Sequence, residues 1–202
     1  MRGTHLLFTV AASLLLSGCL TSPNAFYTDT DIFQDDRIIG GYADARTENG
    51  YSVGKDPDNP GRYIVHYFEK ERTLRWMEFT ATLFKAGTNS YVDLLPSDDS
   101  CIAHVPGAPL SGMDVIRNIT RQPVHAVVRL ALSDEGVAFS FPQKRAIFEM
   151  VQRHPTFTNY VRNGEILLLP QSSKELRDLL ESEGGTLFPK PTDFRKPKPL
   201  PK

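Results

Sequence analysis

Cysteine is scarce: two residues in 202 are too few for a disulfide scaffold or a four-thiolate zinc site. An excess of either charge is missing too. The 23 Lys and Arg stand against 24 Asp and Glu, and a net charge of −1 excludes the basic character of a dedicated nucleic-acid binder. The histidines His66, His104, His125 and His154 form no H-x-x-x-H or H-E-x-x-H pair, so a zincin-type site is excluded. No Gly-x-Ser-x-Gly elbow, phosphate-binding glycine loop or dinucleotide fingerprint occurs. Asp56-Pro57-Asp58-Asn59-Pro60-Gly61 starts like a calcium loop, but Pro60 takes the fifth position and Tyr67 the twelfth, where a bidentate Glu is required. A tight turn is the better reading. These absences leave no metal, no cofactor and no recognisable catalytic signature. What is present, 40% hydrophobic and 10% aromatic residues, suits one packed domain, two small ones at most.

The most specific segment is the first. Met1-Arg2-Gly3-Thr4-His5 precedes the apolar run Leu6–Leu16, which stops at Ser17-Gly18. Spanning a bilayer takes roughly 17–25 predominantly apolar residues. A positive residue, a short apolar stretch and small residues after it are the order of a secretory signal peptide. Leu16-Ser17-Gly18-Cys19 then resembles the lipobox of bacterial lipoproteins. The resemblance implies cleavage between Gly18 and Cys19, a diacylglyceryl group on the Cys19 thiol and a further acyl chain on the new N-terminus. Thiolate nucleophilicity suits that chemistry. Several acyl chains, at about 0.8 kcal/mol per buried CH₂, anchor stably where one would not. In enteric bacteria an Asp at the position of Leu20 would retain a lipoprotein in the inner membrane, so the resemblance also implies the outer membrane. Lipidation leaves Cys101 as the one free thiol, expected to be buried and inert in an oxidising compartment.

The expected organisation is a signal peptide over 1–18, the lipidated Cys and a flexible, acidic tether over 19–36, a single α+β domain over 37–188, and a disordered Pro/Lys-rich tail over 189–202. Within the domain, alternation predicts strands over 38–42, 63–68, 74–84 and 91–95, the last two a hairpin through the turn Ala86-Gly87-Thr88-Asn89, a second hairpin from 124 to 141 turning at Asp134-Glu135-Gly136, and a last strand over 165–169. A helix is expected from Pro142 to His154. Another is expected from a capping box at Ser172 and Glu175 to a left-handed stop at Gly184. The fold class is α+β: an antiparallel meander, curved or partly closed into a barrel, with two helices. The body is similar to uncharacterised β-rich bacterial envelope lipoproteins, through Phe79-Thr80-Ala81-Thr82-Leu83, Tyr91-Val92-Asp93-Leu94-Leu95-Pro96, Pro123-Val124-His125, Val128-Arg129-Leu130, and Ile166–Leu169 before Ser172–Leu176. That likeness implies a shared fold and transfers no catalytic residue.

Three functions fit. The first is a non-enzymatic, membrane-anchored envelope protein that binds another envelope protein or the cell wall and faces the periplasm or the cell exterior. The second is a lipocalin-like carrier of a small apolar ligand, which needs an enclosed cavity. The third is an envelope hydrolase whose site gathers distant residues such as His125, Asp93 and Cys101, which needs one of them within hydrogen-bond reach of a partner. Cys101-Ile102-Ala103-His104 is half a dyad at most, and His125, alternating with the apolar residues of its strand, is expected to point outward or bond at a sheet edge. Trp76, Glu78, Thr80, Thr82 and Phe84 share a strand face that could line a cleft or solvate an outer surface. The basic tail could touch anionic lipid headgroups or cell-wall polymer.

Overall fold

A computed structural model describes residues 20–43, 50–69, 75–97, 124–154, 161–163 and 166–198. The signal peptide, Cys19, Cys101 and His104 lie outside the described residues. Among the described residues, ten strands and two α-helices follow in chain order. The strands are β1 (Leu20–Ser22), β2 (Gly40–Ala43), β3 (Gly50–Lys55), β4 (Arg62–Glu69), β5 (Arg75–Ala86), β6 (Asn89–Pro96), β7 (His125–Ser133), β8 (Gly136–Ser140), β9 (Val161–Asn163) and β10 (Ile166–Leu168). Helix α1 spans Lys144–Arg153, between β8 and β9, and α2 spans Ser173–Leu187. The sheet runs β2-β3-β4-β5-β6-β7-β1-β10-β9, with β8 also on β7. All pairs are antiparallel except β1 with β10. The expected α+β meander with two helices is therefore the fold.

Alternation along the strands sorts the side chains into two cores. On one face lie Tyr42, Val53, Tyr63, Ala81, Leu83, Val92, Leu130 and Val137, with Ile38 beneath them. The sheet curls over this face far enough for Phe139 of β8 to meet Tyr51 of β3 edge-on at 5.7 Å. The other face carries Leu20, Phe84, Tyr91 and Val127, covered by Ile147 and Met150 of α1 and by Leu176, Leu180 and Leu187 of α2. Each fully buried Leu or Phe contributes about 1.5–3 kcal/mol relative to exposure.

Local chemistry accounts for the turns. Gly87 and Gly136 sit at positive φ (58° and 132°) where the β5–β6 and β7–β8 hairpins reverse. The Asp56 carboxylate accepts from the amides of Asp58 and Asn59, and Gly61 takes φ 97°, which makes that segment the tight turn expected. Ser172 and Glu175 form the capping box of α2. The helix does not stop at Gly184. It continues to the buried Leu187, and Gly184 is required for another reason: a Cβ there would overlap the Tyr91 hydroxyl.

Both expected extensions are parts of the fold. Instead of a tether, residues 20–36 supply β1, whose three residues are fully buried between β7 and β10, and then the fully buried Phe26. Instead of a free tail, residues 190–198 run along the open edges of β2 and β8. Arg195 exchanges both backbone hydrogen bonds with Val137 of β8, and Lys198 does the same with Gly41 of β2. The ladder itself stays open, and this strap spans the gap. Gly40 and Gly136 face it so closely that a Cβ on either would strike its backbone.

Candidate functional site

Two constellations stand out among the described residues. The first unites two residues named from the sequence. Asp93 of β6 lies opposite Val127 of β7, so His125 is its diagonal neighbour on the same face, within reach of a ring. His125 Nδ1 and Asp93 Oδ1 are 2.6 Å apart, and the Phe26 amide donates to Asp93 Oδ2 at 2.9 Å. With the carboxylate as acceptor, Nδ1 is the protonated nitrogen and Nε2 is the one Asp93 does not engage. The Asp93 side chain is 2% exposed and that of His125 16%. His125 therefore does not point freely outward: its ring is mostly buried on the helix-covered face, and its backbone pairs with Ser22 of β1. The pair ties the stretch after β1 to the middle of the sheet. It is also half of a nucleophile-activating array, an imidazole oriented by a buried carboxylate. Cys101, the third residue of that expectation, falls outside the described residues.

The second constellation is a cleft of about 450 Å³ where β5, β6 and β7 end, between the turn at Asp36–Ile38 and the C-terminal strap. Arg37, Lys85, Arg129 and Lys190 reach it, against one carboxylate, Asp35. Arg37 donates to both Asp35 oxygens, and its guanidinium holds that carboxyl below the usual range. Lys85 Nζ sits 5.5 Å over the Phe33 ring. Arg129 bonds the Asn89 amide oxygen at 2.6 Å and the Phe188 carbonyl at 3.3 Å, both neutral acceptors. Three cations therefore border the cleft with no carboxylate paired to them among the described residues.

No family model, no curated protein and no solved structure matches this chain. Among the described residues no group of three or more His, Cys, Asp and Glu could hold a metal ion. The mixed strand face of β5 splits between two environments. Phe84 and Thr82 are covered by Tyr27, whose ring lies 5.6 Å from Phe84 and whose hydroxyl is 3.4 Å from Thr82 Oγ1. Farther along, Glu78 pairs with His66 on β4 at 3.0 Å. The Trp76 side chain lies outside the described residues. That face is an outer surface partly roofed by the N-terminal segment.

Sequence reasoning missed the cleft. Its cations are spread from Arg37 to Lys190, and only the curl of the sheet and the return of the strap bring them together. One signal pointed to it: the basic surplus of the last fourteen residues, of which Lys190 now faces the cleft.

Proposed function

We propose that this chain is a lipid-anchored bacterial envelope protein, held at the outer membrane through Cys19, whose curled sheet is a non-enzymatic binding module for an anionic group on another envelope component. The observation that carries the binding half is the cleft, where Lys85, Arg129 and Lys190 converge with no carboxylate paired to them among the described residues. Ammonium and guanidinium donors around a small concavity suit a phosphate or carboxylate, which charge-assisted hydrogen bonds would hold. Side chains fill the concave face of the sheet, with Tyr42, Tyr63, Leu83 and Val137 fully or nearly fully buried, and this favours a surface site over an enclosed apolar carrier. The anchor rests on the Leu16-Ser17-Gly18-Cys19 lipobox.

The two halves are tested separately. Cys19→Ser should release the protein from the membrane fraction, and globomycin should block its processing. Lys85→Glu with Lys190→Glu should weaken binding to soluble peptidoglycan fragments or to phosphatidylglycerol vesicles about tenfold at low salt, with less effect at 0.5 M salt, where the screening length is short. Binding that is unchanged by the two substitutions sinks the cleft as the site.

A second reading, an envelope hydrolase, is favoured by the His125–Asp93 pair. It requires a nucleophile next to His125 Nε2. The pH profile of Cys101 alkylation by iodoacetamide decides it. A thiol titrating well below about 8.5 and restored to that value by His125→Ala supports the hydrolase, and an ordinary profile in both proteins removes it.

A further inference from the structure

The first described residue, Leu20, is fully buried within the sheet rather than at the end of a linker. Its surroundings fix where an anchor on the preceding residue must emerge. On one edge of β7, β8 occupies the positions opposite 133 to 129, and β1 those opposite 127 to 125. The two strands run in the same direction, so β1 continues the line of β8. Ser140 and Leu20 flank the one unfilled position, opposite Val128, about 7 Å apart at the rise of an extended strand. Leu20 therefore enters the sheet at the junction of β8 and β1, and that is where whatever is bonded to its nitrogen attaches to the domain.

At that junction the chain leaves β8 through Phe141, whose side chain is 46% exposed. This residue is not on a loose loop. Ser140 before it is paired with Arg129, and the Gln143 amide after it donates to the Leu187 carbonyl at the end of α2. One further large apolar side chain among the described residues is exposed: Phe148 of α1, at 49%. Ala146, Ile147 and Met150 of α1 point into the core, which leaves Phe148 on the outward face one turn after Lys144 and Arg145, the latter ion-paired with Glu149 at 2.7 Å. Aromatic side chains beside Lys and Arg on one helix face suit the headgroup–acyl boundary of a bilayer.

We infer that Phe141 and Phe148 form a membrane-docking surface around the anchor, so that the domain lies directly on the phospholipid bilayer in a fixed orientation instead of swinging from a tether. This rests on the lipid-anchor reading above. The occupant is phospholipid, because an anchor attached through Leu20 enters the bilayer at the β8–β1 junction, where the chain leaves Ser140 through Phe141 into the helix that carries Phe148.

The test places single tryptophans in the full-length protein, in a Trp76→Phe background, reconstituted through its own lipid into phosphatidylethanolamine–phosphatidylglycerol vesicles carrying brominated acyl chains. Phe141→Trp and Phe148→Trp should lose about twofold or more of their emission to the bromines, as expected for indoles at the headgroup–acyl boundary. Asn59→Trp, in the exposed β3–β4 turn, should keep its emission. Phe148→Trp, at an exposed helical position, keeps the test open should position 141 not accept an indole. If Cys19→Ser releases the protein but neither indole is quenched more than that of Asn59→Trp, the docking surface is overturned and the anchor stands. If Cys19→Ser leaves membrane association unchanged, the anchor reading falls and takes this inference with it.

Discussion

Removing the imidazole from the Asp93 pair should be among the most damaging single changes in the sheet. The Asp93 side chain, 2% exposed, has two protein donors: His125 at 2.6 Å and the Phe26 amide at 2.9 Å. In His125→Ala the carboxylate keeps one donor and almost no water. Leaving a buried acceptor short of its donor costs about 1–3 kcal/mol, and more where the acceptor is a carboxylate. Using 3 kcal/mol, since His125 is itself 16% exposed and water can follow its removal, and about 2–4 °C per kcal/mol for a domain of this size, Tm should fall by about 6–12 °C. His125→Asn, whose amide can donate toward Oδ1, should recover part of the loss. Asp93→Asn should cost less than His125→Ala, because it removes the charge while keeping an acceptor for the Phe26 amide. Differential scanning calorimetry on the three variants reads this directly. A drop of under about 2 °C in His125→Ala would refute the reasoning, since a carboxylate that tolerates losing its partner is not desolvated as the structure describes.

Other contacts give further expectations. Gly184→Ala should destabilise by about 1–3 kcal/mol through overlap with the Tyr91 hydroxyl, against the roughly 1 kcal/mol an Ala normally adds in a helix. Tyr91→Phe should relieve much of that loss in the double variant, and urea unfolding midpoints measure both. Truncation after Pro191 removes the strap and leaves the β2 and β8 edges open, so faster aggregation on heating is expected by light scattering. For acid stability, hydrogen bonding from His154, opposed by partial burial and aided by Arg153, holds the Glu183 carboxyl below its usual 4.5. A carboxyl depressed in the folded state contributes stability above its unfolded value, and that contribution is lost as pH falls through the folded one. Tm of Glu183→Gln should therefore fall less steeply than that of the parent below about pH 4.5.

How much of this was legible in the sequence depended on how far apart the deciding residues lie. The two hairpins and the capping box are written locally, in Gly87, in Asp134-Glu135-Gly136 and in Ser172 with Glu175, and they were read with their turns in place. Strand β1 was not. Leu20-Thr21-Ser22 is short and polar and is followed by Pro23, and its pairing with Leu167 and Leu168 joins opposite ends of the chain. Gly184 was read by its local meaning as a helix stop, whereas Tyr91, a residue of β6, dictates it. His125 and Asp93 were each visible as chemistry. Their meeting depends on the register of β6 against β7 across residues 98–123, and no local pattern encodes it.

The C-terminal segment shows why composition misled. Its prolines argued for a free extended chain, because each lacks the N–H a strand must donate. A strap across two edges needs far fewer donors than a strand inside a sheet. Here Arg195 and Lys198 donate and accept, while Pro197 lies between the two bridges where no donor is called on. Extended, proline-stiffened backbone is what such a strap requires, since it loses little further freedom on docking. The same segment then delivers Lys190 to the cleft. Its basic charge, read first as a diffuse surface tail, becomes one side of a defined site only because the prolines carry the chain along the sheet rather than into solvent. Loss of the strap should therefore weaken binding of an anionic ligand even in a variant that keeps Lys190 in its sequence. Gly136→Val, which strikes the Arg195 backbone and strains a residue at φ 132°, is the substitution that separates the two effects. Its affinity for peptidoglycan fragments or phosphatidylglycerol vesicles should fall toward that of Lys190→Glu, and an affinity equal to the parent's would detach the strap from the site.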